Sequence, residues 1–140
     1  MKFVPNFVFY DVTQLKIGSC EWTNIAMALK CPVVDINLNR NEAVIYGGGV
    51  HFSKERIDRP GDKPLYGLVA ENHADYWGNI VPGAELVSLS QEHGIIRATD
   101  EFLACLHVGD IVTVLPIHSC MTAELMKTYH MNDGRFATHI

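Results

Sequence analysis

Cysteine is scarce and scattered: four in 140 residues, at Cys20, Cys31, Cys105 and Cys120, with no Cys-x-x-Cys pair. That spacing excludes a disulfide-stapled secreted scaffold and a dithiol redox motif. Cys20, Cys31 and Cys105 read as small apolar residues, whereas Cys120 is set apart by His118 beside it. Basic residues do not cluster, and a formal net charge of −5 argues against an electrostatic nucleic-acid binder. No apolar run reaches the roughly 20 residues of a membrane helix. The opening Met-Lys-Phe-Val-Pro has neither the apolar core nor the small-residue cleavage site of a signal peptide. A soluble, cytoplasmic protein is the expectation. Also missing are repeats, low-complexity segments and the strand–helix alternation of a (β/α)₈ barrel.

What is present is globular. Apolar residues make up 48% and charged residues 19%, enough for one domain over residues 1–140 with its own core. Short β-rich runs separated by turn residues predict strands at 6–10, 42–46, 50–53, 65–70, 84–90, 95–97 and 111–115. Residues 21–36 are ambiguous. Trp22, Ile25, Ala26 and Leu29 fit a helical stripe, yet 26–36 also reads as one strand carrying Pro32 at an edge or bulge. Turns are expected at 37–41, at Pro82-Gly83 and at 91–94, and loops over 53–64 and 71–78; in the latter, Tyr76 and Trp77 suit either an interface or a core cap. Thr99-Asp100-Glu101 looks like the start of one short helical turn through Cys105. A final hairpin pairs 125–131 with 136–140 across Asn132-Asp133-Gly134. The pattern is all-β: a partly open β-barrel or sandwich of short, mostly antiparallel strands with little helix.

Gly47-Gly48-Gly49 invites a phosphate-cradle reading, since bare amides can approach an anion. No helix N-terminus or Lys-Ser/Thr pair follows where that reading needs one, so a bulge or tight bend is preferred. His51, just beyond, reads as a hydrogen-bonded, partly buried residue, and His107, His130 and His139 read as structural.

The chemistry-bearing stretch is Val108-Gly-Asp-Ile-Val-Thr-Val-Leu-Pro-Ile-His-Ser-Cys-Met-Thr. Gly109-Asp110 turns the chain into an apolar run that Pro116 ends or places at an edge. In an extended backbone, residues i and i+2 share a face. His118 and Cys120 would then leave a strand end side by side, an imidazole and a thiol suited to a zinc-like ion. The alternative is a chance pair, because His-x-Cys is common.

Together with Leu89-Ser-Gln-Glu-His-Gly-Ile-Ile, this stretch resembles the C-terminal β-domain of the D-serine dehydratase and D-threonine aldolase-like family. The likeness extends through Tyr46-Gly-Gly-Gly-Val-His-Phe-Ser-Lys-Glu and Phe7-Val-Phe-Tyr-Asp. These are pyridoxal-phosphate enzymes of the alanine-racemase type. The resemblance implies a strand in the ambiguous 26–36 region and a metal held by His118 and Cys120, acting as a Lewis acid on the substrate hydroxyl. Cysteine rather than aspartate at position 120 leans towards zinc and the dehydratase branch. His93 is either a neighbour of substrate or metal or a residue that orients its turn.

In the family the Schiff-base lysine and the phosphate site come from a barrel that precedes this domain. Lys2, Lys16, Lys30, Lys54, Lys63 and Lys127 do not lie in such a context. The expectation is therefore a chain that binds no pyridoxal phosphate and is inactive alone, dependent on a barrel partner. Two other readings stay open: a stand-alone metal- or ligand-binding module, and a non-catalytic folded fragment that forms a homodimer.

Overall fold

The computed structural model describes residues 9–138. Four helices, α1 (Val12–Lys16), α2 (Gly49–Phe52), α3 (Asp100–Ala104) and α4 (Ser119–Met126), are interspersed with eight strands. The strands are β1 (Leu29–Asn37), β2 (Glu42–Tyr46), β3 (Gly67–Asn72), β4 (Trp77–Leu89), β5 (His93–Arg97), β6 (Ile111–Pro116), β7 (Thr128–His130) and β8 (Phe136–Thr138). Strands β1 to β6 close into an antiparallel barrel in the order β1-β2-β5-β4-β3-β6, and β7 and β8 form a separate hairpin. The all-β expectation holds, and the barrel is fully closed.

Two cores result from the alternation of side chains along the strands. Leu29, Cys31, Val33, Ala43, Ile45, Val69, Leu86, Ile96, Val112 and Val114 fill the barrel interior, and Leu103 of α3 packs with them. The Thr99 hydroxyl accepts from Phe102 N–H, so the expected helix start is capped as its sequence suggests. A second core lies on the outer face of β3 and β6, where Leu68, Ala70 and Leu115 are covered by Val12, Ile25, Leu65 and Ile117. Because β6 is buried on both faces, its sequence does not alternate apolar with polar, and Thr113 within it is buried and bonded to Asn72.

The sequence reading needs correction in several places. Residues 50–53 form no strand: α2 occupies Gly49–Phe52. The stretch from 125 is not strand until Thr128, because α4 runs to Met126. Residues 12–16, for which no element was expected, form α1. Residues 71–78 are mostly hairpin: β3 reaches Asn72, β4 starts at Trp77, and His73 stacks on Tyr76 with centroids 4.5 Å apart between them. Pro82-Gly83 does not end a strand. It lies within the 13 residues of β4, where Gly83 takes φ +73° and the register with β3 shifts; it is a bulge. The ambiguous stretch resolves as a 3₁₀ turn at Trp22–Asn24 followed by β1, in which Pro32 pairs opposite Ile111. Of the strand expected at 6–10, only Phe9 and Tyr10 are described, as turn and coil, and His139 and Ile140 also lie outside the described residues. Among the described residues, no helix is long and apolar enough to cross a membrane.

Candidate functional site

His118 and Cys120 sit where β6 gives way to α4. Pro116 is the last residue of β6, and His118 is the N-cap of α4 with an extended backbone (φ −133°, ψ 96°). Cys120 is already in the first helical turn. The same-face geometry expected for an extended His-x-Cys therefore does not apply, because the backbone changes conformation between the two residues. They remain neighbours by sequence, both half-buried, at a strand-to-helix junction. The His118 side chain makes no capping hydrogen bond, which leaves the first amides of α4 to other acceptors.

Asp11 supplies one of them. This carboxylate is 1% exposed. Its Oδ1 accepts from Gln14 N–H at 2.9 Å, capping α1, and its Oδ2 accepts from Ser119 N–H at 3.2 Å, inside the first turn of α4. The junction is tied down further by Ser119 Oγ donating to Tyr10 O at 2.6 Å and by Thr13 Oγ1 donating to Ile117 O at 2.9 Å. On the other side, Thr122 Oγ1 bonds to Phe52 O, joining α4 to α2. Burial, and then the charge of Asp11, push the Cys120 thiol above its ordinary pKa. Cys31 contrasts with it: buried in the barrel, its thiol is pushed up to about 12, and it is a core group. None of the four cysteines forms a disulfide.

The glycine run packs by close approach. A Cβ on Gly48 would lie 2.5 Å from Gln91 O. The amides that a phosphate cradle would use are taken: Gly49 N–H donates to Ser90 O, Val50 N–H to Gln91 O, and Gly48 N–H to His51 Nδ1. The glycines do form a tight bend, but it leads into a helix: α2 starts at Gly49, where the sequence reading expected no helix N-terminus. His51 is half-buried and hydrogen-bonded as expected, and its ring meets Tyr46 edge-on at 5.2 Å. His93 begins β5 opposite Tyr46, exposed, with its ring 5.6 Å from the same tyrosine. Its turn is held by bonds between Ser90 and the His93 backbone, not by the imidazole. His107 is exposed, its N–H and ring both facing Asp110, and the His130 ring packs on Phe136 in the terminal hairpin.

Among the described residues, no three His, Cys, Asp or Glu side chains converge with metal-ligand geometry. His93 thus does not complete a shell with His118 and Cys120. A thiol and an imidazole two positions apart, with the Asp11 carboxylate bonded to the Ser119 amide between them, are two of the donor types that a zinc-like cation takes. The glycine amides that a phosphate would use are taken, Lys30 donates to His73 O and Ala74 O, and Lys63 pairs with Glu42. Sequence reasoning missed Asp11 and Tyr46. Asp11 is 108 positions from its partner Ser119, and no local pattern signals such a contact.

The comparisons with known proteins agree with this architecture. The D-serine dehydratase of Dictyostelium discoideum is 28% identical over 93% of this chain and 33% of its own length. The D-threo-3-hydroxyaspartate dehydratase of Delftia is 26% identical over 88% of this chain and 33% of its own. The chain spans about a third of the length of these curated relatives. Its fold superimposes on an alanine-racemase-like protein of Idiomarina loihiensis with a TM-score of 0.80 at 29% identity, covering 95% of this chain and 36% of that one. Solved forms of the Delftia enzyme include a histidine-to-alanine variant and a cysteine-to-alanine variant two positions further on, the latter in a metal-free form. The model of the family described as "Putative serine dehydratase domain" matches residues 26–132, well over half of the sequence, and the chain belongs to that family.

Proposed function

We propose that this chain is the metal-carrying β-domain of a pyridoxal-phosphate-dependent D-amino-acid dehydratase, and that it works with a barrel supplied elsewhere. The observation that carries this reading is the His118–Cys120 pair, held at the start of α4 by a buried carboxylate in a domain of this family. The Delftia enzyme supports it, since its histidine and cysteine variants share the two-residue spacing of His118 and Cys120. A divalent ion at the pair would supply Lewis acidity towards a substrate hydroxyl. His118 and Cys120 provide two ligands, orient them through α4, and leave the remaining positions to water or substrate. The Schiff-base lysine and the phosphate site belong to the barrel. A reducing, cytoplasmic setting suits the thiol.

An exposed apolar surface supports dependence on a partner. Met121, Leu125 and Met126 of α4 are exposed, as are Met131 and Phe136 of the adjoining hairpin, with Phe136 at 72%. Tyr129 OH donates to Ala123 O, which ties the hairpin to the helix. Exposed apolar side chains on adjoining elements are characteristic of interaction sites.

The test is metal content of protein purified without a metal-affinity tag, for the native chain and a His118→Ala/Cys120→Ala double variant. Near-stoichiometric zinc in the first and none in the second is the expected result. Equal zinc in both, or none in either, would overturn a metal site formed by this pair.

A further inference from the structure

We infer that Asp11 is the positioning residue of the His118–Cys120 pair, one buried carboxylate that fixes where the two ligands stand by bonding the amide between them. The inference rests on the metal reading above, and Asp11 lies outside residues 26–132, the part of the chain that matches the family.

Several independent observations converge on this residue. A buried carboxylate is costly unless its oxygens are satisfied by good donors. Asp11 meets that requirement with two backbone N–H groups from two different helices. The first turn of each helix has amides without intrahelical partners and a partial positive charge, so a carboxylate there is favoured on both counts. Tyr10, the residue before it, takes φ +49°. A non-glycine residue in the left-handed region is strained, and such strain persists only where surrounding contacts over-determine it. Here those contacts are identifiable: Tyr10 O accepts from the Ser119 hydroxyl, and Thr13 bonds to Ile117 O through both its amide and its hydroxyl. Residues 10, 11 and 13 thus clasp 117 and 119, on either side of His118.

The clasp has a functional consequence because His118 and Cys120 lie on different backbone conformations. Their separation depends on how the α4 axis leaves β6, and Ser119 is the pivot. Fixing the Ser119 amide fixes the relative placement of imidazole and thiol before any cation arrives. Outer-shell groups of this kind typically change metal affinity by about 10–100-fold when removed.

Two variants and two readouts test this in the full chain. Asp11→Asn keeps the size and one acceptor oxygen but loses the charge; Ser119→Ala loses the tether to Tyr10. Amide exchange of the metal-free proteins is compared between residues 117–122 and the barrel strands. Cobalt(II) is then titrated while the thiolate-to-cobalt absorption is followed, with Cys120→Ala as the blank. The expected result is selective loss of protection at 117–122 in both variants. Cobalt affinity should be about tenfold weaker in Asp11→Asn, with β1 to β6 exchanging as in the native protein. Unchanged protection at 117–122 would overturn the positioning role, as would native cobalt affinity in Asp11→Asn. A native chain that shows no cobalt–thiolate band sinks the metal reading instead, and the exchange comparison then decides the role of Asp11.

Discussion

Single positions in this domain are constrained more by backbone proximity than by side-chain chemistry, and Gly48 is the clearest case. An added Cβ would meet Gln91 O at 2.5 Å and Glu92 N at 2.6 Å. Both are backbone atoms with no flexible end to swing aside. The β2–α2 corner and the β4–β5 turn would have to separate, breaking the bonds from Gly49 and Val50 to Ser90 and Gln91. Overpacking of this kind costs about 1–3 kcal/mol, and a backbone-on-backbone clash belongs at the upper end. Gly48→Ala should therefore lower the urea unfolding free energy by about 3 kcal/mol. A loss within experimental error of zero would show that the two segments are not in contact. Asp11 carries the complementary lesson. Its importance rests on bonds to two chain segments, one of them 108 positions away, and is invisible in its immediate neighbours.

Among the secondary-structure elements, legibility in the sequence followed the match between local pattern and tertiary burial. The strands β2, β5 and β6 were legible because each is a short apolar or alternating run between turn residues, and α3 because Thr99 caps it. The helix α2 was not legible. Its Val50-His-Phe triplet has β-rich composition, and what makes it helical is packing on α4, with Phe52 buried and its carbonyl bonded to Thr122. In α4 itself the buried residues are Ser119, Thr122 and Ala123, small or polar, while Met121, Leu125 and Met126 point outward. A pattern search expects the reverse. The His118–Cys120 pair was therefore visible by residue type, but its geometry was misjudged because the helix begins between the two residues. Strand β6 links both cores, and Leu115 tests that link. It is fully buried on the face covered by Val12, Ile25 and Leu65, and opposite faces of the strand serve the barrel interior. Leu115→Ala should cost about 2–5 kcal/mol in chemical denaturation. It should also raise amide exchange across residues 12–17, which that core holds down. Native-like exchange there would mean that α1 is anchored without it.

For the molecule as a whole, the barrel is closed by the backbone pairing of β6 with both β1 and β3, and a charged strap lies over its outer face. Glu42, Arg97 and Glu85 stand opposite one another on adjacent strands β2, β5 and β4, so the pairing register lines up alternating charges. The loop between α2 and β3 lies across them. Arg59 Nη1 donates to both Glu85 oxygens at 3.0 Å, Arg97 donates to Asp62 at 2.8 and 3.1 Å, and Lys63 pairs with Glu42 at 3.2 Å. Isolated surface pairs contribute little, but a shared network with bidentate arginines holds its geometry better. The hydrogen bonds from Arg97, followed by the backbone amide of Lys63, hold the Asp62 carboxyl well below the usual carboxylate range. The direction of the pH effect follows. An aspartate whose folded pKa is depressed stabilises the fold at pH values above its unfolded pKa of about 3.9, and that contribution is lost as pH falls below this value towards the folded pKa. The native chain should thus lose stability more steeply than Asp62→Asn between about pH 5 and pH 2, while near neutrality the variant is the less stable of the two. Urea midpoints measured across that range would check it. Parallel curves for the two proteins would mean that the strap does not respond to Asp62, and that the loop is held by Ile57 and Leu65, whose backbones already pair at 2.9 Å, without help from charge.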